Sequence, residues 1–369
     1  MTSRYFTMAT ACLASLIIYT GCDVHEFPDV IPTPPEPPVV EKRELHLMLN
    51  TDDMDYYQTI YAGEGSKSRA IEDAPHDIRY IVRIYSADES RRSGSRSVIE
   101  YHEETVPDDG AHYELRIPLT LKAGEYDVVA WGDHVPQGTT ADFYYDTTDF
   151  YEISLLGSAD NGYVHKANNP NRIAWRGKTS IIVDDDGAVF IADNPTKEVT
   201  SVDMTMKAPM ARYHFITTDL EEFVSRHAGV EKAIGLAPGL APSAPILSDY
   251  RVVVRYTGYM PTAYNAYTDK PVDSRLGMSY EGKTTAIDGA SAELGYDHVL
   301  VNGNATSVQV ALDLYRKSDN RLLSSSGVID VPLIRGKYTL VKGAFLTTSS
   351  GSSMGINPGF NGEYNIEIK

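Results

Sequence analysis

Apolar residues recur at every second position through long stretches of this chain, and that period constrains it to fold as sheet. Leu45, Leu47 and Leu49 are separated by His46 and Met48. Tyr80, Val82 and Ile84 alternate with Ile81, Arg83 and Tyr85, and Leu115, Ile117, Leu119 and Leu121 alternate with Arg116, Pro118 and Thr120. Successive side chains of a strand point to opposite faces, so the pattern predicts sheets with one buried face. Further strand-like runs lie at 126–131, 150–155, 179–183, 199–206, 211–217, 250–256, 298–302, 308–315, 327–333, 338–346 and 364–368. Gly124 and Asp184-Asp185-Asp186-Gly187 are turn residues between such runs. Many short strands at this spacing imply sandwiches or barrels. The 25 tyrosines, against 9 Phe and 2 Trp, fit half-buried positions on twisted sheets. One helix is expected: Thr218 and Glu221 form a capping box, Leu220, Phe223 and Val224 share a face, and Gly229 stops it.

The first 21 residues read differently. One charge, Arg4, precedes an apolar stretch from Ala9 to Ile18, and the small residues Thr20-Gly21 stand directly before Cys22. This is the layout of a secretory signal, too short to span a bilayer. Ending on cysteine, it resembles a lipobox, with cleavage between Gly21 and Cys22 and acyl chains such as palmitate on Cys22; Tyr19 stands where lipoboxes usually carry Leu. An anchor of two or more acyl chains is stable where a single chain is not. Cys12 would leave with the signal, so the mature chain forms no internal disulfide and depends on buried core. Between Pro28 and Pro38 six of eleven residues are proline. Such a run cannot pack into helix or inner sheet and favours an extended polyproline II stalk holding the folded part off the membrane.

The formal charge of −18 argues against nucleic acid, whose phosphates demand a basic stripe. No Ser-x-x-Lys or His-Glu-x-x-His motif is present. The ten histidines lack zinc spacing. Paired carboxylates are plentiful, as in any acidic chain, so composition alone leaves glycosidase chemistry open. Asp184-Asp185-Asp186-Gly187 and Asp52-Asp53-Met54-Asp55 supply hard oxygen ligands but lack the spaced pattern of a calcium loop, and they read as solvated turns. Trp131 and Trp175 are candidate sugar-stacking rings; Trp131, beside Val128, Val129 and Ala130, reads better as core.

Several stretches carry a family resemblance. They are Ala208-Pro209-Met210-Ala211-Arg212-Tyr213-His214-Phe215, Gly258-Tyr259-Met260-Pro261-Thr262-Ala263-Tyr264-Asn265, Tyr267-Thr268-Asp269-Lys270-Pro271, Gly336-Lys337-Tyr338-Thr339-Leu340-Val341 and Ile356-Asn357-Pro358-Gly359-Phe360. Arg79-Tyr80-Ile81-Val82-Arg83 and Tyr126-Asp127-Val128-Val129-Ala130-Trp131 add to them. The chain resembles a family of Bacteroides-type lipoproteins of unknown function, described as fimbrillin-like, and more distantly the fimbrillin and fimbrial anchor superfamily. The resemblance implies two transthyretin-like β-sandwiches, lipoprotein export, assembly by strand exchange, and no catalytic residues to carry over. Shaft pilins of that group are trimmed after an arginine, and no arginine here stands in a matching place, which argues against a shaft role.

The expectation is therefore a mainly β protein: two tandem transthyretin-like or immunoglobulin-like β-sandwich domains with one short helix. Its divisions are a signal at 1–21, a lipidated acidic and Pro-rich tether at 22–42, and sandwiches at 43–207 and 208–369. The expected function is that of a non-catalytic surface lipoprotein of the outer membrane, structural or adhesive and fimbria-associated, with a glycan-binding outer-membrane lipoprotein as the alternative. Expected partners are the outer membrane through lipid on Cys22, and fimbrial subunits or host and bacterial surface ligands; no cofactor, metal or nucleic acid is expected. Tyr364, Ile366 and Ile368 fall on one face of the last strand-like run and are the candidates for strand exchange.

Overall fold

The computed structural model describes residues 44–51, 75–88, 96–108, 113–118, 120–157, 165–233, 245–347 and 364–365. Within them the chain runs β1 (Glu44–Thr51), β2 (His76–Ser86), β3 (Val98–Pro107), β4 (Tyr113–Pro118), β5 (Gly124–Pro136), β6 (Tyr145–Asp146) and β7 (Ile153–Leu155). Next come β8 (Ala174–Val183), β9 (Val189–Ile191), β10 (Asn194–Glu198), β11 (Ser201–Met206) and β12 (Met210–Thr217), then helices α1 (Leu220–Ala233) and α2 (Pro245–Ser248). The remainder is β13 (Tyr250–Tyr256), β14 (Met260–Asn265), β15 (Lys270–Arg275), β16 (Ser279–Glu281), β17 (Thr285–Ala286) and β18 (Ala292–Leu300). β19 (Ala305–Arg316), β20 (Arg321–Ser325), β21 (Ile329–Ile334), β22 (Tyr338–Gly343) and β23 (Tyr364–Asn365) complete it. The protein is mainly β, as the alternation predicts, and its sheets pack as sandwiches.

The first sandwich lays a six-stranded sheet, ordered β10-β9-β8-β5-β2-β3, on a three-stranded sheet, β11-β1-β4. Tyr80, Val82, Ile84, Val128 and Ala130 meet Leu115, Ile117, Val202, Met204 and Met206 between them. The second sandwich faces β17-β18-β12-β22-β23 against β16-β13-β19-β20, with β21 also on β19. Its core holds Tyr213, Phe215, Leu294 and Val341 with Val252, Val254, Leu312 and Val331. The two layers approach closely where Gly282 donates to the Val252 carbonyl at 2.7 Å; a Cβ there would stand 2.0 Å from the Leu294 carbonyl oxygen.

The expectation of one buried face per strand is overturned for β2, β5 and β12. All eight residues of β12 are buried, and on β2 and β5 both rows are covered. The reason is a second core on the far side of the six-stranded sheet. Ile81, Tyr85, Val129 and Trp131 point away from the first sandwich into the cluster that also contains Met210, Tyr213, Tyr256 and Tyr264. A four-stranded sheet, β15-β14-β7-β6, joins strands from before and after residue 207, with Ala263 opposite Ser154 and Tyr264 opposite Ile153. Residues 42–369 form one compact unit.

Helix α1 appears where expected, with Leu220 and Phe223 buried and Val224 packed against them. Two details differ. Asp219, not Thr218, precedes the first turn, and the backbone continues through Gly229 to Ala233. The Thr218 amide is instead taken by the Gly343 carbonyl at 2.9 Å, which keeps that residue in the sheet connection.

Candidate functional site

Tyr364 and Asn365, from the C-terminal run predicted as an exchangeable strand, lie at a sheet edge. β12 is the centre of its sheet, antiparallel to β18 and parallel to β22. β22 in turn carries β23 as a parallel neighbour, with Val341 opposite Tyr364 and Lys342 opposite Asn365. Tyr364 is therefore placed at the edge, while Ile366, Ile368, Gly21 and Cys22 lie outside the described residues. The chain that follows β22 is pinned through Thr347. The buried Asp219 carboxylate accepts from the Leu346 amide at 3.1 Å, the Thr347 amide at 2.7 Å and the Thr347 hydroxyl at 2.8 Å, and also from the Thr217 hydroxyl. Phe345 and Leu346 are buried beside it.

A second cluster is sealed inside. Asp297 of β18 is wholly buried, and its Oδ2 lies 2.6 Å from His165 Nε2 and accepts from the Tyr256 hydroxyl at 2.6 Å. Its Oδ1 accepts from Arg172 Nη1 and, at 2.8 Å, from the His298 amide. The Tyr213 hydroxyl donates to that of Tyr256 at 2.8 Å, and Tyr280 donates to Tyr213 at 3.2 Å. Burial alone would push the Asp297 carboxyl up; Arg172, His165 and the Tyr256 hydroxyl outweigh it and hold the group well below the usual carboxylate range. His165 and Arg172 come from before residue 207 and the other members from after it, so the network ties the two halves together.

Two further ion clusters have the same character. Arg79 grips Asp133 through two hydrogen bonds of 3.0 and 2.8 Å, reaches Asp142 at 2.8 Å and donates to the Thr140 carbonyl at 2.8 Å. Asp269, at a φ of 61°, is held by Arg335 through two bonds of 2.8 Å and by the Tyr264 hydroxyl at 2.6 Å. Against the upward push of burial, these partners bring Asp269 down to about 2. Paired in this way, the charges fix geometry and leave few lone pairs for a substrate.

Three buried histidines make the fold sensitive to acid. Burial pushes His165, His214 and His298 below the ordinary histidine value, although Asp297 and Glu293 pull the first two back up. The folded protein thus keeps them neutral at a pH where the unfolded chain takes up protons. Stability should be full well above the ordinary histidine value, fall as pH drops through it, and fall further as Asp269 and Asp297 approach protonation. Asp133, whose carboxyl burial raises, works in the opposite direction. Urea titrations at about pH 7.5, 6 and 5 measure the effect, and equal midpoints across that range would refute it.

Asp184-Asp185-Asp186-Gly187 is a hairpin turn between β8 and β9, with Gly187 at a φ of 77°. The Asp184 carboxylate accepts from the amides of Asp186 and Ala188 and is thereby committed to the turn. The pair at Asp52 and Asp53 lies outside the described residues. Trp131 is fully buried and Trp175 is 6% exposed, packed beside His134, so neither offers a ring face to a sugar. Among the described residues no group of three or more metal-capable side chains lies together. The Asp297 network escaped sequence reading because residues 165, 172, 256 and 297 have no shared local spacing.

These features define a β-sandwich protein with several buried, internally paired charges and an added strand at one sheet edge. It belongs to DUF6562, a family of unknown function whose profile matches residues 37–369. No curated protein matches the chain. Among solved structures it is similar to a candidate polysaccharide-binding protein of Bacteroides thetaiotaomicron, at 10% identity and a TM-score of 0.41 over 76% of this chain and 79% of that one. It is similar to the fimbrial anchor protein Mfa2 of Porphyromonas gingivalis at 12% identity and a TM-score of 0.39, covering 77% and 81% of the two chains. A candidate cell adhesion protein of Bacteroides eggerthii aligns at 12% identity and a TM-score of 0.40, over 89% of this chain and 98% of that one.

Proposed function

We propose that this chain is a non-catalytic lipoprotein of the outer membrane, anchored through Cys22, that serves as a structural or adhesive subunit associated with fimbriae. The observation that carries the reading is the β22 edge. β12 and β22 form a rigid, buried ladder, yet the outermost position of that sheet is filled by β23 through two described residue pairs. A strand at a sheet edge can be exchanged for a neighbour's without dismantling the core. The Asp219 clamp supports this, because it holds the chain through Thr347 whatever the last residues do. The proline-rich stretch after Cys22 supports surface display by spacing the sandwiches from lipid.

Two experiments test it. Cys22→Ala should leave the melt of the folded part unchanged and move the protein out of the membrane fraction; equal retention of both forms would refute the anchor. Deleting residues 363–369 should leave the monomer melting much as before while its incorporation into fimbriae fails. Loss of the cooperative melt would instead make the last strand an intramolecular part of the sandwich, and normal incorporation would remove the structural-subunit reading.

A further inference from the structure

The chain passes from β18 to β19, and so from one sheet of the second sandwich to the other, through Val301, Asn302, Gly303 and Asn304. Both ends of this link are held. The Val301 amide donates to the Pro209 carbonyl at 2.9 Å, and the Asn304 carbonyl accepts from the Arg335 amide at 2.9 Å. Between them Asn302 and Gly303 are exposed, and among the described residues nothing hydrogen-bonds the Asn302 side chain or the Gly303 amide. Gly303 stands at a φ of 68°, and a Cβ built on it would meet nothing within 4 Å. The backbone nitrogen after Asn302 is thus bare, unshielded and uncommitted.

An asparagine side chain reaches the next residue's amide nitrogen, and a bond between that nitrogen and Cγ closes a five-membered ring. The reaction needs a free nitrogen, open approach and an uncharged carbonyl. Comparable pairs in the described residues fail one of these conditions. After Asp186 the Gly187 amide donates to the Asp184 carbonyl at 3.0 Å. Before Gly289 the Asp288 carboxylate accepts from the Ala290 and Ser291 amides at 2.9 and 2.6 Å and from the Ser291 hydroxyl at 2.7 Å. Those bonds, the Ser291 hydroxyl first, hold Asp288 below the usual carboxylate range, and an ionised carboxylate resists a nucleophile. Asn304 precedes Ala305, whose methyl group crowds the nitrogen and whose backbone enters β19 opposite Ile334. Asn302 alone of these four meets every condition.

We propose that Asn302 is a site of spontaneous deamidation in the folded protein. The Gly303 nitrogen loses its proton to solvent hydroxide and attacks Cγ of Asn302; the Cγ–Nδ2 bond breaks, and ammonia leaves after taking a proton from water. Water then opens the succinimide at either carbonyl, giving aspartate or isoaspartate, so one amide is exchanged for one carboxylate without oxidation or reduction. Both products add a negative charge to the link, and isoaspartate lengthens its backbone by one carbon between the two held ends. The full protein, folded or unfolded in guanidinium chloride, is incubated in mildly alkaline buffer and then digested with trypsin. Cleavage after Lys283 and Arg316 releases one peptide carrying Asp288, Asn302 and Asn304. Fragmentation should place a gain of about 1 Da on Asn302, accumulating about tenfold or more faster than on Asn304. The rate at Asn302 in the folded protein should lie within about tenfold of the unfolded rate, and Asn302→Gln, which cannot close the five-membered ring, should abolish the gain. A folded rate lower than that would show that the turn shields the amide and would overturn the proposal. Equal gain at Asn304, or a gain kept in Asn302→Gln, would do the same.

Discussion

Asp297→Ala is expected to cost about 3–5 kcal/mol of stability, the penalty for leaving a buried cation without its partner. The Arg172 side chain is 2% exposed and would lose its carboxylate, while His165 and the Tyr256 hydroxyl would lose their shared acceptor. The substitution should move the urea midpoint strongly with little change in slope. A double variant, Arg172→Met with Asp297→Leu, should recover much of the loss, because removing both charges also removes their desolvation. A loss below about 1 kcal/mol for Asp297→Ala, as for an exposed ion pair, would mean that the network contributes little.

Trp131→Ala should be comparably damaging, at about 3–5 kcal/mol, through the large cavity it leaves. The ring belongs to β5 but faces away from the first sandwich, edge-on to Tyr145 at 5.5 Å and 6.5 Å from Tyr264. Both neighbours stand in the four-stranded sheet that joins strands from the two sides of residue 207. Loss of the indole should therefore lower the melting temperature of the whole unit in one transition. Two transitions, of which only the earlier half's shifts, would show that the two halves fold independently despite their shared core. Calorimetry distinguishes the outcomes through agreement of calorimetric and van't Hoff enthalpies.

The alternation alone determined that this chain folds as sheet and placed β1, β2, β5, β12, β13 and β19 close to their observed positions, because a strand's two-residue period is a local property. It also determined helix α1, whose Leu220, Phe223 and Val224 all pack inward. β3 was not legible. Both of its faces are largely exposed, so Val98 to Pro107 carries no apolar period, and the strand exists because β2 offers it a ladder. β15, nearly all exposed, was hidden for the same reason. That β2 and β5 are buried on both faces was equally beyond local reading, since a covered row of Arg79, Ile81, Arg83 and Tyr85 looks in sequence like a mixed one. Only the tertiary structure brought Arg172 and His165 onto Asp297. A buried ion cluster is selected by three-dimensional complementarity between distant segments, and residues 125 and 132 positions apart leave no period to find.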